Sequence, residues 1–337
     1  MSLNKPITII AEAGVNHNGD VNLAYKLIEL AADAGADIVK FQTSIPKAHI
    51  SRFAPKANYQ KKTTGSGENQ LSMINKIRMP QEHLPDLKAH CEKCGIMFWC
   101  TAFDVYSVEL LHSMDIHLWK IPSGEITNVP YLRKVASYGE PIIMSTGMAT
   151  LGEVDTALGI LEKAGTPRNL VTLLHCTTEY PACLDDVNLN AMSVMKAAFP
   201  GIAGIGYSDH TPGIEISVAA AAMGATVIEK HFTLDKNMEG PDHKASMSPE
   251  ELYALVRCVR NVERALGDGV KRPAPEEMAN AIAARKSLVA ARNIAKGETF
   301  TAENMTTKRP GSGISAIFWD QYLGRKAERD YEEDELL

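Results

Sequence analysis

The sequence lacks the features that mark several large classes of protein. Its 337 residues contain no apolar run near the roughly 18 residues that a membrane-spanning helix requires. The polar start leads directly into an apolar segment, so we expect no signal peptide. Basic residues are not in excess either: 35 Lys and Arg against 41 Asp and Glu give a formal charge of -6, whereas nucleic-acid-binding proteins are usually basic. These absences favour a cytoplasmic protein that binds neither membranes nor nucleic acids.

Cysteine is also sparse, with six residues in the whole chain. A chain of this length buries a core that needs no disulfides, so we expect reduced thiols. Cys91 and Cys94 form a C-x-x-C pair, but no second pair follows at the spacing of a zinc site. Because residues 82–94 have a helical pattern, we interpret the pair as two thiols on a helix.

Short apolar runs rich in β-branched residues alternate with longer helical patterns, which is typical of a parallel sheet covered by helices. The eight runs are residues 7–12, 37–41, 96–100, 117–121, 141–145, 170–175, 203–207 and 226–230. Helical patterns cover residues 21–34, 81–95, 105–114, 131–137, 151–165, 190–199, 212–224 and 249–266. Eight such units predict a (β/α)8 (TIM) barrel. A doubly wound sheet is the alternative, but no G-x-G-x-x-G follows the first run.

The pattern divides the chain into three parts. Residues 1–266 form the predicted barrel domain, residues 267–282 a linker rich in Gly, Pro and charge, and residues 283–337 a small β-rich domain. Its predicted short strands and turns are residues 287–291, 294–300 and 308–311. Within the barrel, residues 44–79 form a long polar stretch after the second strand. Since loops of that length are often functional, we expect a lid over the barrel mouth.

Polar residues end or follow every predicted strand, and in such barrels the carboxyl ends of the strands surround the active site. Lys40 and Lys120 are placed there with the hydroxyls of Ser123, Ser145 and Ser208. Ammonium groups, hydroxyls and exposed backbone N–H groups hold the oxygens of phosphates and carboxylates. The sequence therefore predicts an enzyme with a small phosphorylated or carboxylated substrate.

Two histidines, His210 and His231, end the neighbouring strands seven and eight. Two imidazoles with water and carboxylates in the remaining positions suit Mn²⁺ or a similar ion better than a closed zinc site. Weaker metal candidates are His17, His175 and His243. Glu12 ends the first strand and is the best candidate for general acid–base chemistry, with structural pairing to Lys40 or Lys120 as the alternative.

Several segments taken together resemble one family. They are residues 11–19 (AEAGVNHNG), 39–43 (VKFQT), 119–125 (WKIPSGE), 145–148 (STGM), 175–181 (HCTTEYP), 207–211 (YSDHT), 229–235 (EKHFTLD) and 240–243 (GPDH). In order and over nearly the whole chain, they resemble the sialic acid synthases, that is, the N-acetylneuraminate synthases and their nonulosonic acid relatives. Residues 308–314 (KRPGSGI) resemble the SAF module, which is similar to type III antifreeze protein.

This resemblance implies a condensation. C3 of phosphoenolpyruvate attacks the aldehyde of an open-chain N-acetylmannosamine-type sugar, which a divalent metal polarises (Mn²⁺ first, Mg²⁺ or Co²⁺ as alternatives). Water adds at C2, phosphate leaves by C–O cleavage, and a nine-carbon 2-keto acid results. N-acetylneuraminate synthase is the principal prediction. The alternatives are a legionaminic or pseudaminic acid synthase that uses a 2,4-diacetamido-trideoxyhexose, the 6-phosphosugar-dependent 9-phosphate synthase and, remotely, a Schiff-base phosphosugar aldolase.

The resemblance also implies residue roles. It places the metal on His210 and His231 and proton transfer on Glu12. Phosphoenolpyruvate would be bound by Lys40, Thr101, Lys120, Ser123, Ser145, Thr178 and Ser208, and the sugar by Gln42, Phe103, Tyr180, Asp242 and Arg309. At Thr178 some members of the family carry Asn; threonine keeps a hydroxyl but lacks the amide. Arg309 would reach the partner's barrel in a domain-swapped homodimer.

Two further possibilities follow from the residues themselves. A second phosphate on the sugar would require extra cations near the lid, and Lys56, Lys61 and Lys62 are there, although a solvated charged loop is the simpler interpretation. An inert barrel that carries a carbohydrate- or ice-binding module would have no use for the histidines and lysines at the strand ends.

Overall fold

Eight parallel strands surround the centre of the first part of the molecule. A computed structural model describes residues 6–65 and 67–337, and the chain divides into a first unit that ends at Asp268 and a second that begins at Gly269. The strands of the first unit are β1 Thr8–Gly14, β2 Ile38–Thr43, β3 Met97–Ala102, β4 Trp119–Ile121, β5 Ile142–Ser145, β6 Val171–Cys176, β7 Gly204–Asp209 and β8 Val227–His231. Their hydrogen-bonded order is β3-β2-β1-β8-β7-β6-β5-β4.

The two end strands of this order, β3 and β4, lie beside each other, so the sheet curls into a nearly closed barrel. Side chains bridge the seam. The indole N–H of Trp99 donates to the carbonyl oxygen of Leu118 at 2.6 Å, and the hydroxyl of Tyr131 donates to that of Ala102 at 2.7 Å. The predicted (β/α)8 barrel is confirmed, since the edges of a doubly wound sheet would lie far apart.

A helix follows every strand of the barrel. These helices are α1 Val21–Asp33, α5 Leu84–Cys94, α6 Val105–Ser113, α7 Val129–Ala136, α8 Leu151–Ala164, α9 Ala191–Ala198, α10 Glu215–Ala222 and α11 Pro249–Leu266. In α1 the buried positions Ala24, Leu27, Ile28 and Ala31 follow helical spacing and face the sheet. Side-chain caps begin several of the helices: Thr150 and Ser248, for example, form capping boxes at α8 and α11. The core lies between the sheet and this ring of helices.

The insertion after β2, residues 44–79, is more regular than a polar loop. It folds into α2 Pro46–His49, α3 Asn58–Thr64 and α4 Gln70–Ile77, anchored by the buried Met73 and by Lys56, whose ammonium donates to the Thr64 hydroxyl at 2.9 Å. Short polar helices like these have no long apolar stripe, which explains why the sequence pattern did not reveal them.

The second unit has a small core of its own around Leu288, Ile294, Phe300 and Met305. Its elements are α12 Pro275–Ala284, β9 Ser287–Ala290, β10 Met305–Lys308 and α13 Trp319–Tyr322, and β9 pairs with β10 in antiparallel fashion. The structure differs from the sequence pattern in two places. Residues 294–300 make isolated bridges instead of a strand, and α12 begins within the segment that we interpreted as a linker and ends two residues beyond it.

Each of the six cysteines is a free thiol, and Cys91 and Cys94 lie on α5 as expected. Within the described ranges, 6–65 and 67–337, no helix combines the length and apolarity needed to cross a bilayer.

Candidate active site

A cavity of about 540 Å³ opens at the carboxyl ends of the barrel strands, below the insertion. All predicted site residues of the first unit line it: Glu12, Lys40, Gln42, Thr101, Phe103, Lys120, Ser123, Ser145, Thr178, Tyr180, Ser208, His210, His231 and Asp242. Strand register produces part of this convergence, because Glu12 on β1 lies level with both Lys40 on β2 and His231 on β8.

Four buried charged side chains form the floor of the cavity, and we call them the inner cluster: Glu12, Lys40, Lys120 and Glu229. The Lys40 ammonium lies 2.6 Å from Glu12 Oε2 and 3.7 Å from Glu229 Oε2. The Lys120 ammonium donates to both oxygens of Glu229 at 2.9 Å. Two positive and two negative charges balance one another, and this offsets the cost of burying them beneath an open cavity.

Hydroxyl groups surround these ammonium groups. Lys40 donates to the hydroxyl of Thr101 at 3.0 Å, and Lys120 donates to that of Ser145 at 2.8 Å. The hydroxyl of Ser208 donates to Glu229 at 3.1 Å. This set of ammonium and hydroxyl groups is the kind that binds phosphate and carboxylate oxygens.

Burial and charge shift the pKa values of the cluster in different directions. Burial raises the pKa of Glu12, so its carboxylate takes up a proton more readily than an ordinary Glu. Burial would raise the pKa of Glu229 as well, but Lys120 and Lys40 outweigh it and lower that pKa to about 2. Glu229 is therefore a permanent counter-ion, whereas Glu12 can exchange a proton near the cavity. Gln42 orients Glu12, since its amide donates to Glu12 Oε1 at 2.8 Å.

The two predicted metal ligands lie side by side, with ring centroids 5.6 Å apart. Nδ1 of His210 donates to the carbonyl oxygen of Thr177 at 2.6 Å, which leaves Nε2 as the free nitrogen. Nδ1 of His231 is buried and finds no hydrogen-bond partner among the described residues. Burial, with the nearby charges of His210 and Lys40, lowers the pKa of His231, which keeps the ring neutral. A neutral imidazole such as that of His231, beside the Nε2 of His210, fits a divalent metal ion.

Aromatic and acidic groups form the wall of the cavity beside the histidines. The ring of Tyr180 stacks on His210 at 4.0 Å and contacts Tyr59 of the insertion at 4.8 Å. Burial raises the pKa of Asp242 to about 6. Phe103 and His49 stack at 5.8 Å at the opposite edge.

Ser123 and Thr178 meet at Gly147, in the loop after β5. The Gly147 N–H donates to the Ser123 hydroxyl at 3.0 Å. A methyl group on Gly147 would lie 2.6 Å from Thr178 Cγ2 and 2.8 Å from Ser123 Oγ. Only glycine at position 147 allows Ser123 and Thr178 to lie this close to the backbone. The side-chain atom that Thr178 directs toward Gly147 is its methyl group, Cγ2.

Several predicted residues do not join the cavity. Arg309 lies in the second unit, where it is exposed and donates to the carbonyl oxygen of Ala284. The weaker histidine candidates have local structural partners. Nδ1 of His17 accepts the Gly19 N–H, Nε2 of His175 donates to the carbonyl oxygen of Val187, and Nδ1 of His243 bonds to the hydroxyl of Thr233. Lys61 and Lys62 are exposed on the insertion, and Lys56 is tied to Thr64 and Glu68 within it.

The cavity also contains residues to which no role was assigned from the sequence. Glu229 is the most important, and the alternation of β8 was the available signal, because Glu229 and His231 lie two residues apart and must face the same side of the sheet. The insertion contributes Tyr59 and Arg78. No sequence signal pointed to Arg78, since its position depends on how the insertion folds.

Comparison with known proteins agrees with this geometry. Residues 27–271 match the NeuB family and residues 285–337 match the SAF domain. The chain is 55% identical over 333 residues to the N,N'-diacetyllegionaminic acid synthase of Campylobacter jejuni subsp. jejuni, with 99% of each chain covered. It is 38% identical over 336 residues to the N-acetylneuraminate-9-phosphate synthase of Homo sapiens, with 98% of this chain and 91% of that one covered.

A crystal structure of N-acetylneuraminic acid (sialic acid) synthetase from Leptospira borgpetersenii serovar Hardjo-bovis, in complex with citrate, is similar with a TM-score of 0.70 and 36% identity. The match covers 82% of this chain and 90% of that one. The chain therefore belongs to the NeuB family of sialic acid synthases and carries a SAF domain.

Proposed function

We propose that the protein condenses phosphoenolpyruvate, open-chain 2,4-diacetamido-2,4,6-trideoxymannose and water to N,N'-diacetyllegionaminic acid and inorganic phosphate. The observation that carries the reaction class is the inner cluster beside the histidine pair: two buried ammonium groups face a cavity of about 540 Å³ that is also lined by two adjacent buried imidazoles. In the reaction, C3 of phosphoenolpyruvate bonds to the aldehyde carbon, the oxygen of water adds at C2, and the C2–O bond to phosphate breaks.

The chain's own residues bind and orient the anionic substrate. Lys40 and Lys120 bind its carboxylate and phosphate, and the hydroxyls of Ser145 and Ser208, within bonding distance of the cluster, complete that set. Glu229 keeps both lysines charged and in position while the site is free of substrate. Glu12, whose pKa burial raises, exchanges the proton of the water that adds at C2.

The residues that would hold a divalent metal ion are His210 and His231, and the ion, Mn²⁺ with Mg²⁺ or Co²⁺ as alternatives, would supply Lewis-acid polarisation of the sugar aldehyde. Tyr180 fixes the plane of the His210 ring by stacking, and the Thr177 carbonyl fixes its tautomer. Asp242 lies at the same wall and is suited to accept a sugar hydroxyl hydrogen.

Two observations favour the diacetamido sugar over N-acetylmannosamine, which the sequence favoured. The first is the 55% identity to a diacetyllegionaminic acid synthase over almost the whole of both chains. The second is the apolar lining that Ile50, Ile74 and Phe103 give to the outer part of the cavity. A 6-deoxy sugar with two acetamido groups presents methyl groups to such a wall. N-acetylmannosamine stays the second candidate, supported by the likeness to a sialic acid synthetase structure.

A 6-phosphorylated acceptor would need a cation at the outer part of the cavity. Lys61 and Lys62 are exposed on the insertion and outside the cavity lining, whereas Arg78 lines it and has no carboxylate partner within 4 Å in residues 6–65 and 67–337. Replacing Arg78 therefore provides a test that distinguishes the two acceptor classes. Arg78 would bind a phosphate if one is present and an acyl carbonyl or hydroxyl if not.

The decisive experiment measures phosphate release from phosphoenolpyruvate with Mn²⁺, with and without EDTA, for three acceptors: N-acetylmannosamine, its 6-phosphate and 2,4-diacetamido-2,4,6-trideoxymannose. We expect metal-dependent release with the diacetamido sugar. Release with the 6-phosphate, and a rise of its KM in Arg78→Met but not in the exposed control Lys61→Met, would instead assign the 9-phosphate reaction. No release with any acceptor, together with borohydride trapping of a substrate on a lysine, would identify a Schiff-base aldolase.

We also propose that Arg309 acts across a homodimer, from the SAF domain of one copy to the barrel of the other. Arg309 is exposed, and within residues 6–65 and 67–337 its hydrogen-bond partner is the backbone carbonyl oxygen of Ala284, so its guanidinium keeps donors for a ligand. Co-expression of Lys120→Met and Arg309→Met subunits tests this. Each variant alone is expected to be inactive, and mixed dimers to regain activity at one of their two sites. Failure of the mixed dimers to regain activity would contradict the arrangement.

A further inference from the structure

A second group of metal-binding side chains lies at the end of the barrel opposite the cavity. His112 is in the last turn of α6, His117 precedes β4 by two residues and Glu140 precedes β5 by two. Each offers one ligand atom, and these three atoms lie within 4.8 Å of one another. We call these residues the rim cluster. Since β4 and β5 pair with Trp119 opposite Ile142, His117 and Glu140 are held side by side where the two strands begin.

The carboxylate of the rim cluster is already oriented by a neighbour. The indole N–H of Trp119, a buried residue, donates to Glu140 Oε2 at 2.7 Å. The other oxygen, Oε1, faces His117 Nδ1 at 2.6 Å. Carboxylates that bind metal ions are commonly held by such an outer hydrogen bond, and here the second oxygen lies beside the imidazole that would share the ion.

The imidazole of His112 is held just as firmly. Its ring stacks on Tyr138 with centroids 4.0 Å apart and meets His117 edge-on at 5.8 Å. Its Nδ1 is buried and lacks a hydrogen-bond partner in the described part of the chain. A buried nitrogen without a partner costs free energy unless an ion or water binds it. His117, with 58% of its side chain exposed, is the ligand that can move to close the site.

We propose that the rim cluster binds a zinc ion, with His112, His117 and Glu140 as ligands and water in the fourth position. Two imidazole nitrogens and one carboxylate oxygen form a donor set that zinc accepts at about 2.0–2.2 Å in tetrahedral geometry. Bound there, the ion would tie the end of α6 to the starts of β4 and β5. The site is separate from the histidine pair, because it lies at the amino-terminal end of the barrel strands, where residues usually serve stability and not catalysis.

The test counts zinc bound to the full-length chain after EDTA treatment and equilibrium dialysis against buffered zinc sulfate. The background is His210→Ala/His231→Ala, which removes the other candidate metal site. We expect one zinc per chain in this background and none after adding His117→Ala, Glu140→Gln or His112→Phe, the last of which keeps a ring stacked on Tyr138. The matched control is His90→Ala, since His90 and Glu29 form a His–Glu pair at 3.0 Å that no third metal-binding side chain joins within residues 6–65 and 67–337.

A second readout guards against variants that fold poorly. Zinc should raise the midpoint of thermal unfolding in the background protein and in the His90→Ala control, and leave it unchanged in the three rim-cluster variants. With His210 and His231 intact, His117→Ala should release phosphate from phosphoenolpyruvate at the wild-type rate. The proposal is overturned if the background protein binds no zinc, or if any of the three variants, folded by circular dichroism, still binds one.

Discussion

Two buried ion-pair clusters lie on opposite sides of the barrel sheet. Neighbouring residues of β8 contribute one side chain to each of them. Glu229 faces inward and belongs to the inner cluster, whereas Lys230 faces outward, where its ammonium lies 2.8 Å from Asp209 on β7. We call Asp209 and Lys230 the outer cluster. Both clusters are almost completely buried, but the inner one lines the cavity at the strand ends, whereas Asp209 and Lys230 are not part of that lining.

The outer cluster is saturated with hydrogen bonds. Asp209 accepts from the N–H and hydroxyl of Thr211 and from the hydroxyl of Ser217, and Lys230 donates to the Thr211 carbonyl. The inner cluster instead shares two lysines between two carboxylates, and all four of its side chains line the cavity. Burial of charge therefore does not by itself identify a functional site. The useful distinction is whether the charged groups line a cavity that a ligand can enter.

The largest effect is expected from Lys120→Met. Loss of one inner ammonium should lower kcat/KM for phosphoenolpyruvate by about 10³-fold, the range seen when a charge-stabilising donor is removed from an active site. Stability should change by only about 1 kcal/mol, because Glu229 retains Lys40 and Ser208 as partners and faces the open cavity. Steady-state kinetics and urea unfolding measure the two quantities.

The matched change in the outer cluster is Lys230→Met, and its effect should appear in stability. Removing Lys230 leaves the Asp209 carboxylate buried without its counter-ion, which costs about 3–5 kcal/mol of unfolding free energy. The kcat of the folded protein should stay within about twofold of wild type. The double variant Asp209→Asn/Lys230→Met should regain part of the lost stability. Equal stability losses for Lys120→Met and Lys230→Met would show that the two clusters do not differ in the way described.

Asp242 extends the comparison to a buried acid that has no ion-pair partner within residues 6–65 and 67–337. Its pKa is raised from 3.8 to about 6, first by burial and then by Glu12. A raised folded-state pKa means that the folded protein holds this proton more tightly than the unfolded chain, so its contribution to stability is lost as the pH rises from 3.8 to about 6 and stays lost above that. Asp242→Asn should therefore stabilise the EDTA-treated protein by about 3 kcal/mol at pH 8.

The same substitution should have almost no effect on stability at pH 3.5, below both pKa values of Asp242. Urea unfolding at the two pH values provides the measurement. A pH-independent effect would mean that Asp242 is charged throughout this range, and the assignment of a desolvated carboxylate at the cavity wall would then be wrong.

Sequence periodicity was sufficient for the barrel because its strands are nearly continuous apolar runs and its helices carry regular apolar stripes. The same reasoning placed Lys40, Lys120 and the two histidines at one mouth, since strand ends must converge there. It did not assign a role to Glu229. The alternation along β8 puts Glu229 on the face of the predicted ligand His231, but it does not show that two lysines from other strands meet this carboxylate.

Close approach between loops was beyond prediction for a different reason. The insertion positions Arg78 and Tyr59 through contacts among short helices, and the loops after β4, β5 and β6 bring Ser123, Gly147 and Thr178 together. These contacts join segments that are far apart in the chain, and no periodic pattern in the sequence predicts them. A resemblance can suggest that such residues matter, but only the fold shows that a glycine is what allows two of them to meet.

The smallest predicted effect tests this last contact. In Gly147→Ala the new methyl group would lie 2.6 Å from Thr178 Cγ2 and 2.8 Å from Ser123 Oγ, so one of the two must move. If both belong to the phosphate side of the site, KM for phosphoenolpyruvate should rise about tenfold, equivalent to about 1.4 kcal/mol, with little change in stability. Adding Thr178→Ser removes the clashing Cγ2 and should restore part of the affinity.

Gly124→Ala is the matched control, because Gly124 lines the same cavity and a methyl group there meets no atom of the described residues within 4 Å. Its KM should equal that of the wild type. A tenfold rise in both variants would mean that the volume of the cavity, and not the contact at Gly147, limits binding. Unchanged KM in Gly147→Ala would remove Ser123 and Thr178 from the phosphate side and leave the inner cluster, with its two lysines, as the determinant of anion binding.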